Sequence, residues 1–261
     1  MCIIVYKPQG KQLPNAETLR ACWDNNPDGA GIMWAADGRV SIRKGFMEWP
    51  SFLEALDEVA SSIDVEDTPM ALHFRIATHG AVVPGCCHPF AVKDSFSEMR
   101  STKIETAMGF MHNGVLSGLR TDDATSDSMA FAKSVLVPLK AMSDDLLEDK
   151  RALRIIENST QGSRFLLMSK TGLVRIFGNW VEDHGILYSN GNFKPRSSYE
   201  PTLFDNSAYD AWAAFGDLDE DLARYGMFEA CKDCPMLFEC VEYLPVCTDE
   251  VQASEMVACY T

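Results

Sequence analysis

The sequence predicts an α+β fold in which two layers of β-sheet pack with helices, and three observations carry that expectation. Short apolar runs bounded by Gly, Pro, Asn or Asp recur from Cys2 to Ser189, as strands do. Between them lie segments whose apolar residues repeat at helical spacing. Finally, 46% of the 261 residues are hydrophobic, enough for a substantial core in one large or two small domains. Pattern alone leaves other α+β arrangements open.

Each element has its own warrant. Cys2 to Tyr6 is an apolar run that opens the chain as a buried strand and stops at Pro8 and Gly10. Ala16 to Trp23 predicts a short helix, which Asn25-Asn26-Pro27-Asp28-Gly29 ends before the next apolar run, Gly31 to Ala35. Asp37-Gly38 is a hairpin turn into Arg39 to Ile42. From Pro50 to Ile63, Phe52, Leu53, Leu56, Val59 and Ala60 recur at helical spacing, with the proline in the first turn. Met70 to Ile76 is a strand that delivers Thr78-His79-Gly80 into a loop, and Pro84-Gly85 and His88-Pro89 keep the chain irregular up to Phe90. Ala107 to Met111 predicts a strand that ends at His112-Asn113-Gly114. Ser126 to Leu139, capped by Ser126 or Asp127, and Leu146 to Asn158 predict helices. Arg164 to Ser169, Leu173 to Phe177 and Gly185 to Ser189 return to strands. Polar groups thus stand repeatedly at strand ends, where a rigid sheet can position them.

After Phe193 the periodic signal weakens. Residues 201–261 hold thirteen Asp or Glu against two Lys or Arg, the composition of a solvated accessory region or an interaction tail. Asp217 to Tyr225 and Met227 to Leu244 carry helical spacing within it. Over the whole chain, 38 acidic against 23 basic residues give a charge of -15, which repels phosphate backbones and anionic membranes. Arg39, Arg43 and Lys44 form a small basic stretch without interleaved aromatics, and no Walker motif or Rossmann fingerprint occurs. Direct nucleic-acid or membrane binding is therefore not expected, nor is a nucleotide or flavin cofactor. Met1 to Lys7 lacks the charged and apolar regions of a secretory peptide, so the expected location is cytoplasmic, with most of the nine cysteines reduced.

The first residue with chemistry to offer is Cys2. Removal of Met1 would place a thiol and a free α-amine on one residue, with reference pKa values of about 8.5 and about 7.7 to 8, so that proton transfer between them is feasible near neutrality. A cysteine in a terminal apolar strand is also an ordinary packing residue. Further along stand Asp28-Gly29-Ala30-Gly31, His73-Phe74-Arg75-Ile76-Ala77-Thr78-His79-Gly80 and His112-Asn113-Gly114. In this order, with Cys2, they resemble the class II glutamine amidotransferases, whose glutaminase domain belongs to the N-terminal-nucleophile hydrolase superfamily. The resemblance covers residues 2–193 and implies a four-layer αββα sandwich, with 194–261 as an acidic, cysteine-containing C-terminal extension.

What the resemblance implies can be placed residue by residue. Processed Cys2 would be the nucleophile and its α-amine the base, attacking glutamine or a related γ-glutamyl amide and passing through a thioester. Asn113, by its side-chain amide, and Gly114, by its backbone N–H, would stabilise the oxyanion. Locally, Asn-Gly is also a plain turn. Arg75 would bind the substrate α-carboxylate and Asp127 the α-amino group; a surface ion pair and a helix cap are the local alternatives. Thr78, His79 and Gly80 would line the glutamine pocket, with His79 in a positioning role, and His88-Pro89-Phe90 would shape the fold. His73 and His112 suit loop orientation better than metal binding. Ile3 departs from the glycine that follows the nucleophile in many full amidotransferases, and this puts the substrate clearance beside Cys2 in question. Residues 194–261 do not resemble the synthase, sugar-isomerase or phosphoribosyltransferase domain that usually consumes ammonia, so the ammonia acceptor would be a separate subunit, or the chain would act alone as a hydrolase. The other class of function is a weakly catalytic or non-catalytic binding or regulatory protein that recruits a partner through its acidic tail.

The tail holds a second constellation, Cys231, Cys234, Cys240 and Cys247. Four thiolates suit zinc or an iron-sulfur cluster, whereas the irregular spacing, without the paired CxxC of a common zinc ribbon, favours buried free thiols. Glutamine hydrolysis itself calls for no cofactor.

Overall fold

The computed structural model describes residues 2–77, 82–119, 125–143, 145–160 and 162–195, all within a unit bounded by Met1 and Ser197. The chain opens with β1 (Ile3–Lys7), then α1 (Ala16–Asn25), the hairpin of β2 (Ala30–Ala36) and β3 (Arg39–Phe46), α2 (Trp49–Ser62) and β4 (Met70–Phe74). After a 3-10 turn at Pro84–Cys86 come β5 (Phe90–Ala91), α3 (Phe96–Met99), β6 (Lys103–Thr106) and β7 (Met108–Asn113). Next, α4 (Asp127–Phe131) passes through a π-helical turn at Ala132–Leu136 into α5 (Val137–Met142), and α6 (Lys150–Asn158) follows. The described chain closes with β8 (Arg164–Ser169), β9 (Val174–Phe177), β10 (Val181–Asp183) and β11 (Ile186–Tyr188).

The fold is mixed α+β with two antiparallel sheets. One runs β10-β11-β1-β4-β2-β3-β6 and the other β5-β7-β8-β9. Strand alternation decides what each face buries. In the larger sheet Ile3, Val5, Ile32, Leu72 and neighbours turn toward α1 and α2, where they pack with Leu19, Trp23, Phe52 and Leu56. The alternate residues, Ile4, Met33, Ile42 and Ala71, pack instead with Met111, Leu166 and Met168 of the smaller sheet. On that sheet's far side Phe110, Phe165 and Leu167 meet Met129, Phe131, Leu136 and Ile156 from the later helices.

Most of the expected elements are present, with shifted ends. Asp37 and Gly38 both take positive φ, 51° and 70°, as a two-residue hairpin turn of this kind requires. The helix expected from Leu146 starts instead at Lys150, because the Asp149 carboxylate accepts the Arg151 and Ala152 N–H groups, while Leu146 and Leu147 are buried in the preceding turn. Ser126, and not Asp127, caps α4, accepting the Met129 N–H at 3.2 Å. Four elements, α3, β5, β6 and β10, have no counterpart among those expected from the sequence.

The small basic stretch does not form one cationic surface. Arg39 pairs with Glu105 and Arg43 with Glu58, whereas Lys44 is buried, donating to the Gly85 and Met99 carbonyls at 3.2 and 2.7 Å. Burial pushes the Lys44 pKa down to about 7. Among the described residues no helix is long and apolar enough to cross a membrane.

Candidate functional site

Strand register brings three of the candidate residues to one end of the sheets. Ile3 of β1 stands opposite Phe74 of β4, and Phe74 opposite Ala30 of β2, so Cys2, Arg75 and Gly29 continue the three adjacent strands by one residue each. Hydrogen bonds hold this row: Arg75 N–H donates to the Gly29 carbonyl at 2.8 Å, Asp28 N–H to the Arg75 carbonyl at 2.9 Å, and the Asp28 carboxylate accepts the Ala77 N–H at 2.8 Å. Asp28 thereby pins the segment whose Ile76 carbonyl accepts the Cys2 Sγ–H at 3.4 Å. By alternation Cys2 shares the face of Ile4, the one that meets the smaller sheet, and Arg75 shares the face of His73. Ile3 turns the other way and is fully buried against the α1 and α2 side, so its bulk is spent in the core rather than beside the thiol.

The smaller sheet supplies Asn113, the last residue of β7 and nearly fully buried. Its Nδ2 donates to Ser189 Oγ at 2.8 Å, and the same hydroxyl accepts the Ile4 N–H at 2.8 Å. Asn190 Nδ2 donates to the Cys2 carbonyl at 2.7 Å. The residues after β11 therefore tie the start of β1 to the end of β7. Gly114 has φ +145°, and a Cβ there would collide with Ser163 Oγ, so both backbone angle and space demand glycine. Likewise a Cβ on Gly31 would overlap the His88 carbonyl oxygen, and one on Gly29 would lie 2.6 Å from Cys87 Sγ.

Asp127 lies in the first turn of α4, where its carboxylate accepts N–H groups from Leu116 at 2.9 Å and Ser128 at 2.7 Å. It thus anchors the loop that carries Gly114. His112 Nδ1 donates to Ser128 Oγ at 2.8 Å, and that hydroxyl donates on to Asp127 at 3.2 Å. Thr78, His79 and Gly80 lie outside the described residues, as do Cys231, Cys234, Cys240 and Cys247. Among the described residues no group of three or more His, Cys, Asp or Glu side chains is arranged to hold a metal ion.

Burial pushes the Cys2 thiol up, with Arg75 pulling in the opposite direction, so the resting side chain is a thiol that needs a base. Three histidines sit close by in the interior. His73 and His88 stack with ring centroids 4.4 Å apart, and His73 Nε2 faces the His112 carbonyl at 3.4 Å. Burial holds His73 down to about 3 and lowers His88 and His112 as well, the last partly offset by Asp127. All three are neutral at pH 7, which suits structural hydrogen bonding and removes them as cations from the site.

These histidines make the fold acid-sensitive. Above the ordinary value of 6.5 both folded and unfolded forms are neutral; below it the unfolded chain binds protons that the folded chain refuses. Stability is therefore complete above about pH 6.5 and falls as pH drops toward the folded values, by up to about 1.4 kcal/mol per pH unit for each histidine held neutral. Urea unfolding at about pH 7 and about pH 5 checks this: the midpoint should fall, and an unchanged midpoint contradicts it.

No protein-family model matches the chain, and no curated protein matches its sequence. Ser189 and Asn190 are the residues that sequence reasoning missed as site builders, whereas Asp28 stood in the Asp28-Gly29-Ala30-Gly31 motif without a role of its own. The polar Ser189-Asn190-Gly191 following an apolar strand signals a turn, and nothing in it points to contacts 76 to 188 residues away. The depression lined by Pro50, Leu53, Glu54, Asp57, Glu58 and Ser61 lies along α2 and shares no residue with this set.

Proposed function

We propose that the chain is a cysteine-dependent amidohydrolase of the class II glutamine amidotransferase kind, releasing ammonia from glutamine or a related γ-glutamyl amide. The observation that carries this reading is the convergence of Cys2, Arg75 and Asn113, from three strands and two sheets, through the hydrogen bonds of Ile76, Ser189 and Asn190. Supporting it, helices pack on the outer face of each sheet, as the four-layer αββα sandwich of N-terminal-nucleophile hydrolases requires. Residues 2–193 form the glutaminase-like domain in this reading, and 194–261 an acidic accessory region that acts in the cytoplasm beside a separate ammonia-accepting synthase subunit.

The chemistry runs as follows once Met1 is removed. The neutral α-amine takes the Cys2 Sγ proton, and the thiolate attacks the side-chain carbonyl carbon of the substrate. Negative charge gathers on the former carbonyl oxygen, where the Asn113 amide and the Gly114 N–H donate to it. Collapse breaks the C–N bond, the amine-held proton passes to the leaving nitrogen, and ammonia departs. Water then attacks the thioester, giving up a proton to the same amine, and the second collapse returns glutamate and the thiol. Arg75 presents a planar fork for the substrate α-carboxylate. Asp127 contributes negative charge for the α-ammonium while its backbone bonds keep it in place.

The direct test is incubation of the Met1-free protein with glutamine and, separately, with a glutamine-directed electrophile. Glutamate release together with a single adduct mapped to Cys2 supports the proposal. Retained Met1 in the natively processed protein, or labelling elsewhere, points instead to a binding or regulatory protein. Asn113→Ala is expected to lower kcat by about 10²- to 10³-fold with little change in KM, since the donor acts on charge that exists only in the transition state. Steady-state kinetics at varied glutamine reads the split.

A further inference from the structure

We propose that Ser189 is a positioning residue that sets the rotation of the Asn113 amide and so aims its N–H donors at the reacting carbonyl; this rests on the role given to Asn113 above. Ser189 is buried just beyond β11, with its backbone N–H on the Ile4 carbonyl at 2.9 Å. Its hydroxyl accepts from Ile4 N–H and from Asn113 Nδ2, while Asn113 Oδ1 is buried with no partner among the described residues. A buried acceptor left unpaired is destabilising, because the water it gave up on folding has not been replaced.

Turning the amide about its terminal bond pairs that oxygen and passes the unmet hydrogen bonding to the NH2 group, where an oxyanion can satisfy it. A hydroxyl carries one donor and two acceptor positions, so Ser189 Oγ can keep the Ile4 N–H and donate its own proton to Oδ1. The Asn113 NH2 group then stands where the unpartnered oxygen stood, with both hydrogens free for an oxyanion. Ser189 is the residue that makes this orientation available, because it can donate as well as accept. It also fixes distance, since the same oxygen grips β1 two residues from the nucleophile, while Asn190 holds the Cys2 carbonyl. Motion of the nucleophile relative to the donor is thereby restrained through one buried atom.

The test uses the full chain with Met1 removed. Ser189→Ala should lower kcat on glutamine by on the order of 10- to 10²-fold with KM little changed, the range a small misplacement of catalytic groups produces. In an Asn113→Ala background the same substitution should cause no further loss. Undiminished kcat in Ser189→Ala, or an equal loss in both backgrounds, overturns the proposal. Should Ser189→Ala not fold, Ser189→Cys, with its weaker donor and acceptor, is held to the same criteria. If the unsubstituted protein releases no glutamate, the amidohydrolase reading fails on its own account and the role of Ser189 is read by NMR. Ser189→Ala should then shift the Asn113 side-chain NH2 pair and speed hydrogen exchange at the Ile4 amide; two unchanged signals overturn it.

Discussion

Cys2→Ala should release no glutamate above background, a loss of about 10³-fold or more, while the unfolding midpoint hardly moves. The catalytic part of this expectation follows from the absence of a substitute among the described thiols. Cys22 is pushed up to about 12 and Cys87 to about 11 by burial, and neither carries an α-amine to take its proton as Cys2 does once Met1 is removed. Cys86 is buried as well. The stability part follows from how little the Cys2 side chain contributes: it is partly exposed and makes one long hydrogen bond to the Ile76 carbonyl. Glutamate release and thermal unfolding on the same preparation separate the two. Activity that persists in Cys2→Ala removes Cys2 as nucleophile, and a collapse of the fold makes it a packing residue.

Phe52→Ala should produce the largest loss of stability, about 3 to 5 kcal/mol, with a midpoint lower by roughly 10 °C. Phe52 has no exposed surface and sits at the centre of an aromatic cluster. Its ring centroid lies 5.0 Å from Phe74, 5.6 Å from Trp49, 6.1 Å from Phe46 and 6.3 Å from Trp23. Those partners come from α1, β3, α2 and β4, so truncation opens a cavity that no single element can close. Rings in such geometry contribute about 0.5 to 1.5 kcal/mol per pair beyond the area they bury. Ile155→Ala, on the exposed side of α6, is the control and should change stability by less than about 0.5 kcal/mol. A Phe52→Ala protein as stable as the control would mean that the helix layer contributes little to holding the larger sheet.

Legibility in the sequence tracked burial. β1, β4, β7 and β8 are almost wholly buried, and their apolar runs stand out. β6 and β10 are the two edges of the larger sheet and carry Lys103-Ile104-Glu105-Thr106 and Val181-Glu182-Asp183. An edge strand joins its neighbour by backbone bonds and leaves side chains in water, so it needs no apolar pattern to be recognised by. The two-residue β5 is too short for periodicity. Asp127 shows the limit of local reasoning in the other direction, because the Thr125-Ser126-Asp127-Ser128 run offers several capping oxygens and only packing chose Ser126.

By itself the sequence determined the α+β class, the positions of the buried strands, and the placing of Cys2, Arg75 and Asn113 at strand ends, because each depends on residue type and spacing along a few neighbours. Tertiary structure alone decided which strand ends meet. β1 lies between β4 and β11, so the register of its two neighbours sets Cys2 against Arg75 and brings Ser189 to Ile4. Asn113 joins them only because the two sheets share a face through Ile4, Met111 and Leu166. Contacts of that kind are fixed by complementary packing across the whole fold and leave no periodic trace in the chain, which is why Ser189 and Asn190 read as a turn and act as a clamp.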